Sequence, residues 1–147
     1  MENKYIHQVN ETVGAFSLIR SLDKKVKEVL RKLGADPFEI TNIELGDENC
    51  SHFHWFKDAI TYSDKPLIYV EWDNDGYHEN LHRMVFPIEW LYDLSYINTK
   101  KQEWEQSIRE AKQKAELAEL ERQRQEEERK ERELYFRLKE KYEGGTK

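Results

Sequence analysis

Five histidines and a single cysteine are the side chains in this 147-residue chain whose types and spacing come nearest to a reactive or metal-binding set. Cys50, His52 and His54 alternate. On an extended strand they would share one face, because successive side chains point to opposite sides. His78 and His82 follow an acidic turn that carries Asp73 and Asp75. Imidazole nitrogen and thiolate sulfur suit zinc. The spacing matches no zinc motif, so no metal and no other cofactor is expected, and His52, His54, His78 and His82 are the fallback ligand set. Glu71, Asp73, Asp75, Gly76 and Glu79 fall where an EF-hand loop has positions one, three, five, six and nine. His82 stands where the bidentate glutamate belongs, and strand-like sequence flanks the loop, so a hairpin turn accounts for the acids. The chain carries no nucleophile motif, phosphate loop or dinucleotide fingerprint. No enzyme is expected. A metal-dependent hydrolase built on His52, His54, His78 and His82 with Asp73 and Asp75 is one alternative.

Composition narrows the classes further. Charged residues make up 37% of the chain and the formal net charge is -6, so a general affinity for nucleic-acid phosphate is not expected. Acids and bases are interleaved, which also weakens any mimicry of DNA. Aromatic residues reach 12%, enough to build a packed core. One cysteine cannot form an intrachain disulfide. The first residues lack an apolar signal core, and no apolar run approaches the ~20 residues of a membrane span. A cytoplasmic protein with no membrane contact is the expectation.

The elements that must position these groups follow from periodicity. Phe16, Ile19, Leu22, Val26, Val29, Leu30 and Leu33 recur at three- and four-residue steps, which predicts a helix over Thr12 to Leu33. Gly34 sits at its C-cap position, and Pro37 closes the region. Four short strands are expected next: Phe38 to Leu45, Ser51 to Tyr62, Leu67 to Trp72 and His82 to Phe86. Pro87 starts a short helix to Tyr92, with Ile88, Leu91 and Tyr92 facing the sheet and Trp90 turned away. Thr99 and Gln102 match a capping box at the start of a long helix. The fold class is α+β: an N-terminal helix packed on a small antiparallel β-meander, then a short helix and a long charged C-terminal helix. The compact domain is expected over residues 1–98 and the helical extension over 99–147.

That extension carries the strongest pattern. No Gly or Pro interrupts Lys101 to Glu143. A helix of this length reaches roughly 60 Å. Trp104, Ile108, Ala111, Ala115 and Ala118 form a heptad-like seam, with Leu117 and Leu120 beside it. Apolar residues return at Leu134, Tyr135, Phe136, Leu138 and Tyr142. Such a helix stands solvated, pairs with a second copy, or docks its distal end. The expectation is a non-enzymatic protein-binding or assembly module, an adaptor or inhibitor. It would contact its partner through Trp72, Tyr77, Trp90, Trp104, Ile108, Leu134, Tyr135 and Leu138, and form a homo-oligomer through the C-terminal helix. A small-molecule or nucleotide-binding domain using the aromatic sheet face is the other alternative.

Overall fold

The structure, a computed structural model, describes residues 20–144. The described part of the first helix, α1, covers residues 20–32. It closes in a Schellman arrangement. Gly34 takes φ 91°, Gly34 N donates to Arg31 O at 3.1 Å, and Ala35 N donates to Leu30 O at 2.9 Å. Val26, Val29 and Leu30 are fully buried and join the same apolar cluster as Ile68, Val70 and Trp72. The expected start at Thr12, with Phe16 and Ile19, lies outside the described residues.

Three strands form one antiparallel sheet in the order β1 (Glu39–Leu45), β2 (Leu67–Asp73), β3 (His82–Pro87). Branched and aromatic residues fill β2, the central strand, and nearly all of it is buried. Register assigns the two faces. Ile40, Trp72 and His82 lie in one row, Ile43, Val70 and Met84 in the next, and Leu45, Ile68 and Phe86 in the third. The opposite face carries Glu39 beside Asp73, then Asn42, Glu71 and Arg83, then Glu44, Tyr69 and Val85. The register shifts between Ile40 and Asn42. This bulge leaves Thr41 on the polar face, where its hydroxyl donates to Glu71 Oε1 at 3.1 Å.

Ser51 to Tyr62 is not a strand. It forms a 3-10 turn, Phe53–Trp55, and a short helix α2, Lys57–Tyr62. Phe53, Phe56 and Ile60 are three and four residues apart, so helical winding turns them together onto the core. Ile60 N donates to Phe56 O at 2.9 Å. The strands therefore keep the consecutive order of a meander, but the first connection is helical.

Pro87 leads into a 3-10 turn, Ile88–Leu91, rather than an α-helix. At about 120° per residue, Leu91 stays on the side of Ile88 while Tyr92 swings outward. Trp90 is 2% exposed and stacks on Phe86 at 6.0 Å, whereas Tyr92 is 74% exposed, the reverse of the expected facing. The long helix α3 runs Ile97–Glu143 and starts ahead of the Thr99 capping box. Its entry is made by a different device. Asp93 accepts from Ser95 N at 2.9 Å and pairs with Lys100 at 2.8 Å, and Tyr96 takes φ 53°. Those contacts, Lys100 foremost, hold the Asp93 carboxyl at about 2. Ile97, Trp104 and Ile108 of α3 are buried in the core cluster, so the first compact unit extends through Ile108. Residues 109–143 belong to a second unit and carry no buried side chain. Among the described residues, no helix is long and apolar enough to cross a membrane.

Candidate functional site

The polar face of the sheet brings together Glu39, Glu44, Tyr69, Glu71, Asp73 and Arg83. Alternation along β2 puts Tyr69, Glu71 and Asp73 on this one side. Glu71 sits at its centre. Its carboxylate accepts from Tyr69 Oη at 3.0 Å, from Thr41 and from Arg83 Nε at 3.0 Å, and His52 Nε2 lies 3.4 Å away. Burial pushes the Glu71 carboxyl up, and the donors from Tyr69, Thr41 and Arg83 outweigh it, so the group is held below the usual carboxylate range. Burial, reinforced by Glu71, drives the Tyr69 hydroxyl well above its ordinary value. Arg83 continues outward over the Trp55 ring at 5.2 Å. Both carboxylate oxygens of Glu71 are engaged, which makes this network an organiser of the face.

Asp73, at the end of β2, is different. It is fully buried, and its Oδ1 accepts from Gly76 N at 2.7 Å. Its Oδ2 has no hydrogen-bond donor among the described residues. His78 Nδ1 lies 2.9 Å from that oxygen, an ion-pair distance, but off the line a ring N–H needs for donation. The other ring nitrogen, Nε2, lies 3.5 Å from Glu39 Oε2. Glu39 faces Asp73 directly across the β1–β2 pair. The turn that follows Asp73 is held against Phe38, the residue before β1. Phe38 N donates to Asp73 O at 2.8 Å, and Gly76 takes φ 82° with the Phe38 ring against it. One ligand atom each from Glu39, Asp73 and His78 lie within 4.8 Å of one another.

No family model, curated protein or solved structure matches the chain. Function has to be read from its own surfaces.

The fallback metal ligands do not converge. His52 sits at Glu71, with its ring edge-on to Tyr69 at 5.3 Å. His54 packs edge-on to Trp55, and His82 stacks on Trp72 at 5.6 Å. His78 alone of the four joins the group with Asp73 and Glu39. The alternation of Cys50, His52 and His54 is lost because their segment is a turn. Cys50 is buried, and that burial, with Glu44 and Asp47 nearby, raises its thiol pKa, the opposite of what an activated nucleophile needs. Glu39 is absent from every expectation, since the register that puts it beside Asp73 is a tertiary fact. Its position just after Pro37, at the start of a strand, was the available signal.

The expected contact residues divide in two. Trp72, Trp90, Trp104 and Ile108 are core residues, which corrects their expected place on an open surface. Trp104 is 8% exposed, meets Trp90 edge-on at 5.7 Å, and donates from Nε1 to Ser63 Oγ at 3.0 Å. The proximal part of the seam is thus covered by the protein's own first unit. Tyr77, Leu134, Tyr135 and Leu138 are exposed. Within the second unit, Leu117, Leu120, Leu134, Tyr135, Leu138 and Tyr142 are all exposed. At about 100° per residue they fall within roughly 100° of arc, one stripe of the helix. Between them the stripe passes through Arg124, Glu127 and Glu131. Charges in and beside the stripe pair along the helix: Arg122 with Glu119 and Arg124 with Glu121, each at 2.7 Å, and Arg129 with Glu126 at 2.6 Å and with Glu133.

Proposed function

We propose that this protein is a non-enzymatic binding or assembly module, an adaptor or inhibitor that acts by occupying a partner through the outer stripe of α3. One observation carries the reading. Leu117, Leu120, Leu134, Tyr135, Leu138 and Tyr142 are exposed together along one side of a helix whose other exposed residues are mostly charged or amide, Phe136 being a further exposed ring on another side. Large apolar side chains aligned in this way are the anchors that helix-in-groove and helix-pairing contacts use. A net charge of -6 fits a protein partner better than nucleic acid. A single cysteine fits the cytoplasm. The apolar stripe of the N-terminal helix covers the Ile68, Val70 and Trp72 face of the sheet in this reading, supported by the burial of Val26, Val29 and Leu30.

The first partner of the stripe is a second copy of the chain. Leu117, Leu120, Arg124, Glu127, Glu131, Leu134 and Leu138 advance by alternating steps of three and four, a heptad seam with a charged middle. Parallel pairing in register sets Arg124 on Arg124, Glu127 on Glu127 and Glu131 on Glu131. Antiparallel pairing with Leu117 opposite Leu134 sets Arg124 opposite Glu127 twice. Leu120 then meets the aliphatic stem of Glu131, whose carboxylate reaches water. Charge decides for the antiparallel arrangement.

Light scattering tests this. The intact chain is expected at about twice its 17.8 kDa mass at micromolar concentration. The double substitution Leu134→Glu and Leu138→Glu gives a monomer with unchanged helix content. Arg124→Glu alone weakens the dimer, and Arg124→Glu with Glu127→Arg restores it. A monomer for the intact chain at every concentration removes the self-pairing. Failure of the charge exchange to restore what Arg124→Glu removes refutes the antiparallel arrangement.

A further inference from the structure

We infer that Glu39, Asp73 and His78 form a binding site for a divalent first-row transition metal of the zinc class. The inference is independent of the helix stripe. Its root is Asp73. A fully buried carboxylate oxygen with no hydrogen-bond donor is rare in native proteins, because removing such an atom from water without a partner is costly. Asp73 Oδ2 points towards the His78 ring and lies in one group with Glu39. A cation there supplies the missing partner.

The surroundings fit that occupant. Glu39 and Asp73 are held opposite each other by strand pairing, so two carboxylates are fixed before any ion arrives. His78 takes φ 57°, a left-handed conformation that a histidine adopts against its own sterics. Strain of this kind gathers where a side chain must be aimed. The side chains of Glu39 and His78 are about half exposed, which leaves an entry path, while Asp73 closes the inner side. A protonated ring bridging the two carboxylates is the competing account, and the geometry serves it poorly. Nδ1 is off the line for donation to Asp73, and Nε2 is 3.5 Å from Glu39, long for a charge-assisted bond. One imidazole and two carboxylates with an open fourth position for water suit zinc, cobalt or manganese. They fall short of the six or more oxygens that calcium requires.

Calorimetric titration of the chelator-treated full chain with zinc chloride tests the site, with thermal denaturation as the second readout. One equivalent of zinc is expected per chain, with a melting temperature that climbs as zinc is raised by mass action. Cobalt chloride should give the intense visible bands of a low-symmetry, four-coordinate ion. His78→Gly relieves the left-handed strain, so the metal-free variant should melt no lower than the parent while its zinc response vanishes. Glu39→Gln should weaken zinc by more than about tenfold, a typical loss even for residues behind the ligands. His54→Ala should change nothing. The site is refuted by a chain that takes up no zinc at micromolar concentration, by uptake that survives both His78→Gly and Glu39→Gln, or by an equal response to calcium chloride.

Discussion

Replacing Trp104 separates the two roles that the start of α3 could play. In the structure this ring is part of the first unit's core, edge-on to Trp90 at 5.7 Å and bonded to Ser63 Oγ at 3.0 Å. Truncating a buried Trp to Ala removes about 3–5 kcal/mol. That is a large share of the ~5–15 kcal/mol that holds an ordinary domain together. Trp104→Ala is therefore expected to leave the first unit strongly destabilised, and at the low end of that range close to its unfolding midpoint. Trp104→Phe is the more informative change, because it keeps an aromatic ring against Trp90. It loses the indole hydrogen bond, about 0.5–1.5 kcal/mol, and part of the packing area. The sum is about 1–2 kcal/mol, or roughly 5–15 °C in melting temperature for a domain of this size. Urea denaturation followed by far-UV circular dichroism, at two protein concentrations tenfold apart, makes the measurement. A core residue gives the same loss at both concentrations. A loss that shrinks as concentration rises would place Trp104 in a contact between copies and refute its assignment to the core. A change of under a few tenths of a kcal/mol for Trp104→Phe would do the same.

Acid should act through Glu71. Its carboxyl is held below the usual range in the fold, against ~4.3 in an unfolded chain. Its contribution is thus fully present above about pH 4.3 and is lost as pH falls through the lower folded value. Glu71→Gln should be less stable than the parent near neutrality, where Arg83 loses its partner, and should lose less stability on acidification; parallel acid-denaturation curves would contradict this. Gly76 and Gly34 give a paired test, since both have positive φ, but a Cβ at Gly76 would lie 2.9 Å from Phe38 Cε1 and one at Gly34 meets nothing within 4 Å. Gly76→Ala should cost more than about 1 kcal/mol and clearly more than Gly34→Ala; equal melting temperatures for the two variants would refute the close approach.

The legible and illegible parts of this fold have physical causes. Leu67 to Trp72 reads as a strand because branched and aromatic residues run between two turn signals, and the structure extends it by one residue, to Asp73. Ser51 to Tyr62 carries two periods at once. Phe53 and Trp55 suggest alternation, while Phe53, Phe56 and Ile60 suggest a helix, and burial of the second set decides. The long helix is legible throughout from its lack of Gly and Pro. What covers its first turns is not, because an amphipathic stripe says that something is buried and not against what. Trp104 and Ile108 read as a seam for another copy and turn out to face the same chain's core. The Glu39, Asp73 and His78 group was half visible. His78 and Asp73 stand out in their acidic turn, but Glu39 joins them through strand register, and the Asp73 oxygen that accepts no hydrogen bond among the described residues has no expression in sequence at all.

The pair of indoles at the root of α3 has an optical consequence. Trp90 and Trp104 stand 5.7 Å apart with planes inclined at 79°. Two chromophores so close and so fixed share their excited states, and their combined transitions rotate light in a way that neither does alone. Trp55 is exposed and Trp72 stacks on a histidine, so neither has an indole neighbour among the described ring contacts. The coupled signal in circular dichroism should therefore belong to this one joint. It would appear when the first turns of α3 close onto the 3-10 turn of Trp90 and vanish in Trp104→Phe. The protein carries an unlabelled reporter of the joint between α3 and the Trp90 turn.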